Sequence, residues 1–212
     1  MGLRGGMLGH LLAFTAVAFL LTITPGPDTA MVLRQTLTHG RRAGFAAAVG
    51  VALGLVGWGV AAAVGLAALL TSSAQVYAAF RWICGIYLVV MAIQSLRSRS
   101  ATVVPDASQV QGHGVLASGR AALITSLLNP KLGVFFVAFL PEFIPHGASV
   151  PTTTLLFACV QSMLALAWYT GMAAVVTRAR DFLNRDRVQR ALRRATAAVF
   201  LGFGARLLTE RA

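Results

Sequence analysis

Apolar residues in this chain run in long stretches rather than at the alternating or helical spacing of half-buried elements. Six stretches reach or approach the roughly 20 residues that a helix needs to cross a bilayer. They fall at roughly 8–33, 44–70, 75–96, 118–140, 151–177 and 190–209. The pattern predicts an all-α polytopic membrane protein with six transmembrane helices. Short arginine-bearing gaps separate most of them, and one long polar linker, 97–117, contains the midpoint of the chain. The expected organisation is a single transmembrane domain over 1–212, in halves of about 1–105 and 106–212. Three spans per half is an odd number, so the second half enters the membrane from the opposite side and the halves form inverted repeats.

Two of the stretches are interrupted in the same way. The first carries Thr24-Pro25-Gly26-Pro27-Asp28 and the fourth carries Asn129-Pro130-Lys131. Aligning Pro27 with Pro130 also matches Asp28 with Lys131 and Gly44 with Gly147. Proline lacks a backbone N–H and clashes with the carbonyl four residues earlier, so both helices are expected to break there. In hydrocarbon a freed carbonyl is costly unless protein, water or ligand satisfies it, so a broken helix belongs beside a polar cavity. Paired interruptions in corresponding spans point to the binding site of a transporter. The half-helix starting near Pro27 also presents unpaired N–H groups and a positive dipole end, suited to a carboxylate.

Asp28 and Lys131 are the only acid and the only lysine at these breaks. A charge deep in a span costs at least about 2.5–3.5 kcal/mol, so such groups face a cavity or pair together. Two readings follow. In one, Asp28 holds an ammonium group or a proton while Lys131, or the half-helix end, holds a carboxylate. In the other, Asp28 and Lys131 form a structural ion pair, or Asp28 caps the second half-helix. Asn129 can bond to ligand or to freed backbone in either case.

Composition narrows the class. The chain is 57% hydrophobic and 11% charged, against roughly 25% charged in soluble domains, and its mean hydropathy is +0.75. Lipid is its expected solvent. A net charge of +12 suits polyanions, but the arginines sit in gaps rather than on one periodic face, so no nucleic-acid partner is expected. Most of the 18 basic residues lie after spans one, three and five, from Arg34, Arg41 and Arg42 through Arg97, Arg99 and Arg120 to the series Arg178–Arg194. The positive-inside rule puts those gaps in the cytoplasm and both termini outside. Residues 178–194 read either as a plain basic loop or as a surface segment drawn to anionic lipid. Residues 10–23 after Arg4 look like a signal peptide, but no A-x-A-like site follows, and a retained span is expected.

Other side chains carry less. Gly50 and Gly54 sit four apart among alanines, the spacing for close helix approach in lipid. Tyr77, Trp82, Trp168 and Tyr169 suit a membrane interface; Trp168 and Tyr169 also suit a cavity wall. Cys84 and Cys159 form no CxxC and read as small buried hydrophobes. Glu142 reads as a solvated cap. His10, His39, His113 and His146 are scattered, so neither a metal site nor a cofactor is expected. With no nucleophile–base constellation either, the chain does not read as an enzyme.

At the two breaks the sequence resembles the LysE/RhtB family of bacterial amino-acid exporters. The resemblance rests on TPGPD at 24–28, RRAGFAAAVGVALGL at 41–55, LLNPKLGVFFVAFLPEF at 127–143 and LRRATAAVFLGFGARLL at 192–208. It implies an inner-membrane exporter of amino acids or close derivatives, driven by the proton gradient. It carries the broken-helix residues onto Pro25, Gly26, Pro27, Asp28, Asn129, Pro130 and Lys131. One departure is Trp58, where many members are expected to have histidine; Trp58 therefore joins Trp168 and Tyr169 as a candidate for the pocket wall. The implied partners are an amino-acid substrate, protons and lipid, with self-association left open. Two other classes compete: a cation or metal-ion transporter using the freed carbonyls, and a transmembrane thiol–disulfide electron carrier, which would need Cys84 and Cys159 at the breaks.

Overall fold

The computed structural model describes residues 2–70, 114–175 and 185–209, and between them 75, 79, 82, 83, 85–87, 89, 90 and 93. The linker 97–113 and residues 178–184 lie outside the described residues, as do most of the third expected span, Tyr77 and Cys84. Every regular element among the described residues is helical. In chain order these are α1 (Gly2–Ile23), α2 (Pro27–His39), α3 (Arg41–Leu70), α4 (Val115–Leu127), the short α5 (Pro130–Val134), α6 (Val150–Ala174) and α7 (Asp186–Thr209). A π-helical turn (Phe135–Phe139) and a 3₁₀ turn (Leu140–Phe143) continue α5.

Among the described residues two helices are long and apolar enough to cross a bilayer, at Arg41–Gly65 and Val150–Ala174. Two bent pairs, Met7–Ile23 with Pro27–His39 and Val115–Leu127 with Pro130–Phe143, bring the number to four if each is one span. Both pairs bend by 51°. Proline sets both positions: Pro27 and Pro130 each open a half-helix, where the missing N–H costs nothing.

After α2 and after the 3₁₀ turn the chain reverses through a glycine in the left-handed region, Gly40 (φ 83°) and Gly147 (φ 81°), a conformation that disfavours any Cβ. Gly40 is thus the positional counterpart of Gly147, whereas Gly44 lies inside α3 against Thr36. The Pro27–Pro130 alignment drifts because the π and 3₁₀ turns lengthen the second half before its reversal.

α3 is the central helix, packed between α4 and α6. Glycine makes this close approach workable: a Cβ at Gly50 would strike the backbone of Gly119, one at Gly54 would strike Ser126, and one at Gly59 would strike Ala158. Without a hydrophobic drive between helices in lipid, such contact is what holds them together. A phenylalanine cluster fills the space beside α1, with Phe14 stacked on Phe157 at 4.5 Å and edge-on to Phe143 at 5.6 Å. Phe139 meets Phe200 of α7 at 5.4 Å. The Arg-rich residues 186–194 continue into α7 as helix, as expected of a segment without proline or glycine.

Candidate functional site

The two breaks meet. Asn129, the N-cap of α5, accepts from the Lys131 backbone N–H at 3.1 Å through Oδ1. Its Nδ2 donates to Asp28 Oδ2 at 3.0 Å. One side chain therefore caps one half-helix and holds the acid of the other. Asp28 is second in α2, buried at 6% exposure, and its other oxygen, Oδ1, is buried with no hydrogen-bond partner among the described residues.

Lys131 reaches the opposite way. Its Nζ donates to Leu21 O at 2.9 Å and to Thr24 O at 3.3 Å. Leu21 O is the carbonyl that would bond to residue 25 in a continuous helix, and Pro25 has no hydrogen to give. The ammonium group supplies it. Of the two arrangements left open by the sequence, the described residues contain no Asp28–Lys131 ion pair; each charge has a neutral partner across the breaks.

The second break is satisfied differently. Pro130 removes the donor for Ser126 O, and that oxygen accepts from Trp58 Nε1 at 3.1 Å and from the Asn129 N–H at 3.1 Å. The Trp58 ring lies against Gly133, where a Cβ would collide with it.

A small cavity lies where these groups converge. Its wall comprises Leu21, Thr22, Thr24, Gly26, Asp28, Val51, Leu55, Asn129, Lys131, Leu132, Gln161, Ala165 and Tyr169. A water-sized sphere can centre itself over about 10 Å³ of it, which is about one water's room. Of the residues singled out in the sequence, Thr24, Gly26, Asp28, Asn129, Lys131 and Tyr169 line it, while Pro25, Pro27 and Pro130 shape its backbone. Trp58 and Trp168 are not in the wall: Trp58 supports the second break, and Trp168 meets Phe19 edge-on at 6.4 Å. The first break is also tied to α7 by Thr24 Oγ1 and Thr196 Oγ1, 2.7 Å apart.

Two polar wall residues, Gln161 and Thr22, escaped the sequence reading. Gln161 Nε2 donates to Thr22 Oγ1 at 2.9 Å, and both side chains are buried. The available signal was an amide inside an apolar stretch, where a polar group is expensive unless it has a use.

The arrangement offers one carboxylate with a free oxygen, one ammonium group parked on freed carbonyls, and the start of α2. Gly26 caps α2 without any side-chain bond, and Ala30 is the first amide to bond back, to Gly26 O at 2.9 Å. An ammonium ion, a proton or a carboxylate each finds a complementary group here.

A model of the LysE type translocator family matches residues 18–211. An uncharacterized membrane protein of Bacillus subtilis, YrhP, is 26% identical, over 92% of this chain and 96% of its own length. The homoserine/homoserine lactone efflux protein of Salmonella typhimurium is 27% identical, over 94% of this chain and 96% of its own. The leucine efflux protein of Klebsiella pneumoniae is 28% identical, over 96% of each. No solved structure matches the chain significantly.

Proposed function

The chain belongs to the LysE type translocator family and is a membrane transporter, and from that premise we propose that it is a secondary exporter of amino acids or close derivatives. Substrate leaves the cytoplasm as protons enter, and no chemical step is catalysed. The proposed frame is six spans in two inverted three-helix halves, in an inner membrane with both termini outside. The matching 51° bends and the left-handed glycines after each broken span support that symmetry.

The observation that carries the reading is the cross-bonding of the two breaks around one cavity. Asp28 is its exchange site, taking the substrate ammonium on one passage and a proton on the other. Lys131 and the uncapped start of α2 receive the carboxylate. With room for about one water, the cavity admits an amino acid only when the halves part, which is the rocking expected of inverted repeats. Each proton moving inward contributes about 2.3 kcal/mol per 100 mV.

The test is amino-acid release from cells loaded with mixed dipeptides, read by mass spectrometry. Wild type should release one or a few amino acids selectively. Asp28→Asn, at equal membrane yield, should fall to the empty-vector level, and a protonophore should slow the wild type. Coincident profiles for all three strains would sink the exporter reading; release indifferent to the protonophore would remove the proton alone.

A further inference from the structure

If the cavity holds the ammonium and carboxylate of an amino acid, as proposed above, its α6 wall meets the third group, the side chain. Gln161, Ala165 and Tyr169 are spaced four apart on one face of α6, and all three line the cavity. Gln161 is 1% exposed within a helix apolar enough to span a bilayer.

Its orientation is fixed from the α1 side. Thr22 has one hydroxyl proton, given to Ala18 O at 2.8 Å, so toward Gln161 it can only accept. That holds Nε2 against Thr22, at 2.9 Å, and turns Oε1 away from it. Oε1 is buried and has no hydrogen-bond partner among the described residues. Besides Gln161 and the polar groups Thr22, Thr24, Asp28, Asn129, Lys131 and Tyr169, the wall is apolar, from Leu21, Gly26, Val51, Leu55, Leu132 and Ala165, and Asp28 is the one carboxylate that the described residues place in it.

We propose that Gln161 determines specificity, its Oε1 accepting from a short neutral side chain that ends in a hydroxyl or amide donor. An aliphatic side chain of equal size would leave Oε1 unpaired, which is how hydrogen-bonding sites reject such analogues. A basic side chain would add a third cation beside Lys131 and the substrate's own ammonium, with Asp28 already taken by that ammonium. One neutral hydrogen bond corresponds to a preference of about tenfold.

The experiment loads cells with near-isosteric pairs in which one member carries a hydroxyl or amide donor and the other is aliphatic (threonine and valine, homoserine and norvaline, asparagine and leucine), together with lysine. Wild type should release the donor-bearing members about tenfold faster than their partners and lysine no faster than vector. Gln161→Met should bring those ratios close to one. Thr22→Val, which removes the group that orients the amide, should lower them at least about threefold and decides the matter if Gln161→Met fails to reach the membrane. Unchanged ratios in a variant present at wild-type levels, or a wild type that favours the isosteres, overturn the proposal. Amino-acid release without donor preference defeats only the role of Gln161. Wild-type release of none of these compounds above vector overturns this proposal, and the mixed-dipeptide release then decides export separately.

Discussion

The two helix breaks bend by the same 51°, yet their freed carbonyls are held by different chemistry. At the first, Leu21 O takes a hydrogen from the ammonium of Lys131, which comes from the other half of the chain. At the second, Ser126 O takes one from the indole of Trp58, whose ring is wedged against Gly133. An ammonium on a flexible stem can exchange its carbonyls for a substrate carboxylate by rotation alone. An indole packed in place cannot leave without unpacking its neighbours. On the exporter reading the first break is the working part and the second is its fixed support.

Lys131→Met should separate them most sharply. It removes the exchangeable cation while keeping an unbranched stem of similar length. Release per unit of membrane protein should fall about a hundredfold, the loss of a charge-assisted contact of about 3 kcal/mol. Lys131→Arg, which keeps the charge but changes its shape, should recover part of the rate. A Lys131→Met protein that exports like wild type would break the comparison, leaving the ammonium as no more than a helix plug.

Trp58→Phe comes next. It deletes the indole N–H and retains a ring over Gly133, while Ser126 O keeps the Asn129 amide. A fixed support should lose stability and little transport: about 0.6–1 kcal/mol, the scale of interhelical hydrogen bonds in membranes, with release within about threefold of wild type. Melting in detergent measures the first and efflux the second. The opposite pattern, lost transport at full stability, would put the second break in the transport cycle too.

These contrasts mark how far the sequence could be read. The breaks were legible because proline acts on its own helix: Pro25, Pro27 and Pro130 name the bends and the carbonyls they free. The partners of those carbonyls were not, because they depend on how the halves pack. In sequence Asp28 and Lys131 suit either separate ligand contacts or a mutual ion pair, and in the fold each finds a neutral partner across the breaks. Trp58 looks like a pocket residue, since an aromatic among small residues gives no sign that Gly133 will lie beneath it. Gln161 and Thr22 were invisible for a related reason: a single amide or hydroxyl in an apolar run reads alike whether it lines a cavity or bonds its own helix. The helical class was plain from run length. The register of the halves was not, because nothing in FFVAFLPEF announces a π turn, although Pro141 does mark where regular helix must end.

The last contrast tests whether the first break is tethered as well as plugged. Thr24 gives its one hydroxyl proton to Leu20 O at 2.6 Å, so in its contact with Thr196 at 2.7 Å it must accept and Thr196 must donate. The two valine substitutions are therefore unequal. Thr196→Val removes a donor and leaves an oxygen that still bonds through its own proton, costing about 0.5 kcal/mol. Thr24→Val strands the buried Thr196 hydroxyl and should cost about 1 kcal/mol, an unsatisfied group being dearer than an unmade bond. In the double variant no hydroxyl is stranded, so its cost should be less than the sum of the singles. Simple additivity in a double-mutant cycle would mean that the two hydroxyls act independently, and the first break would then owe its hold to Lys131 and Asn129 rather than to α7.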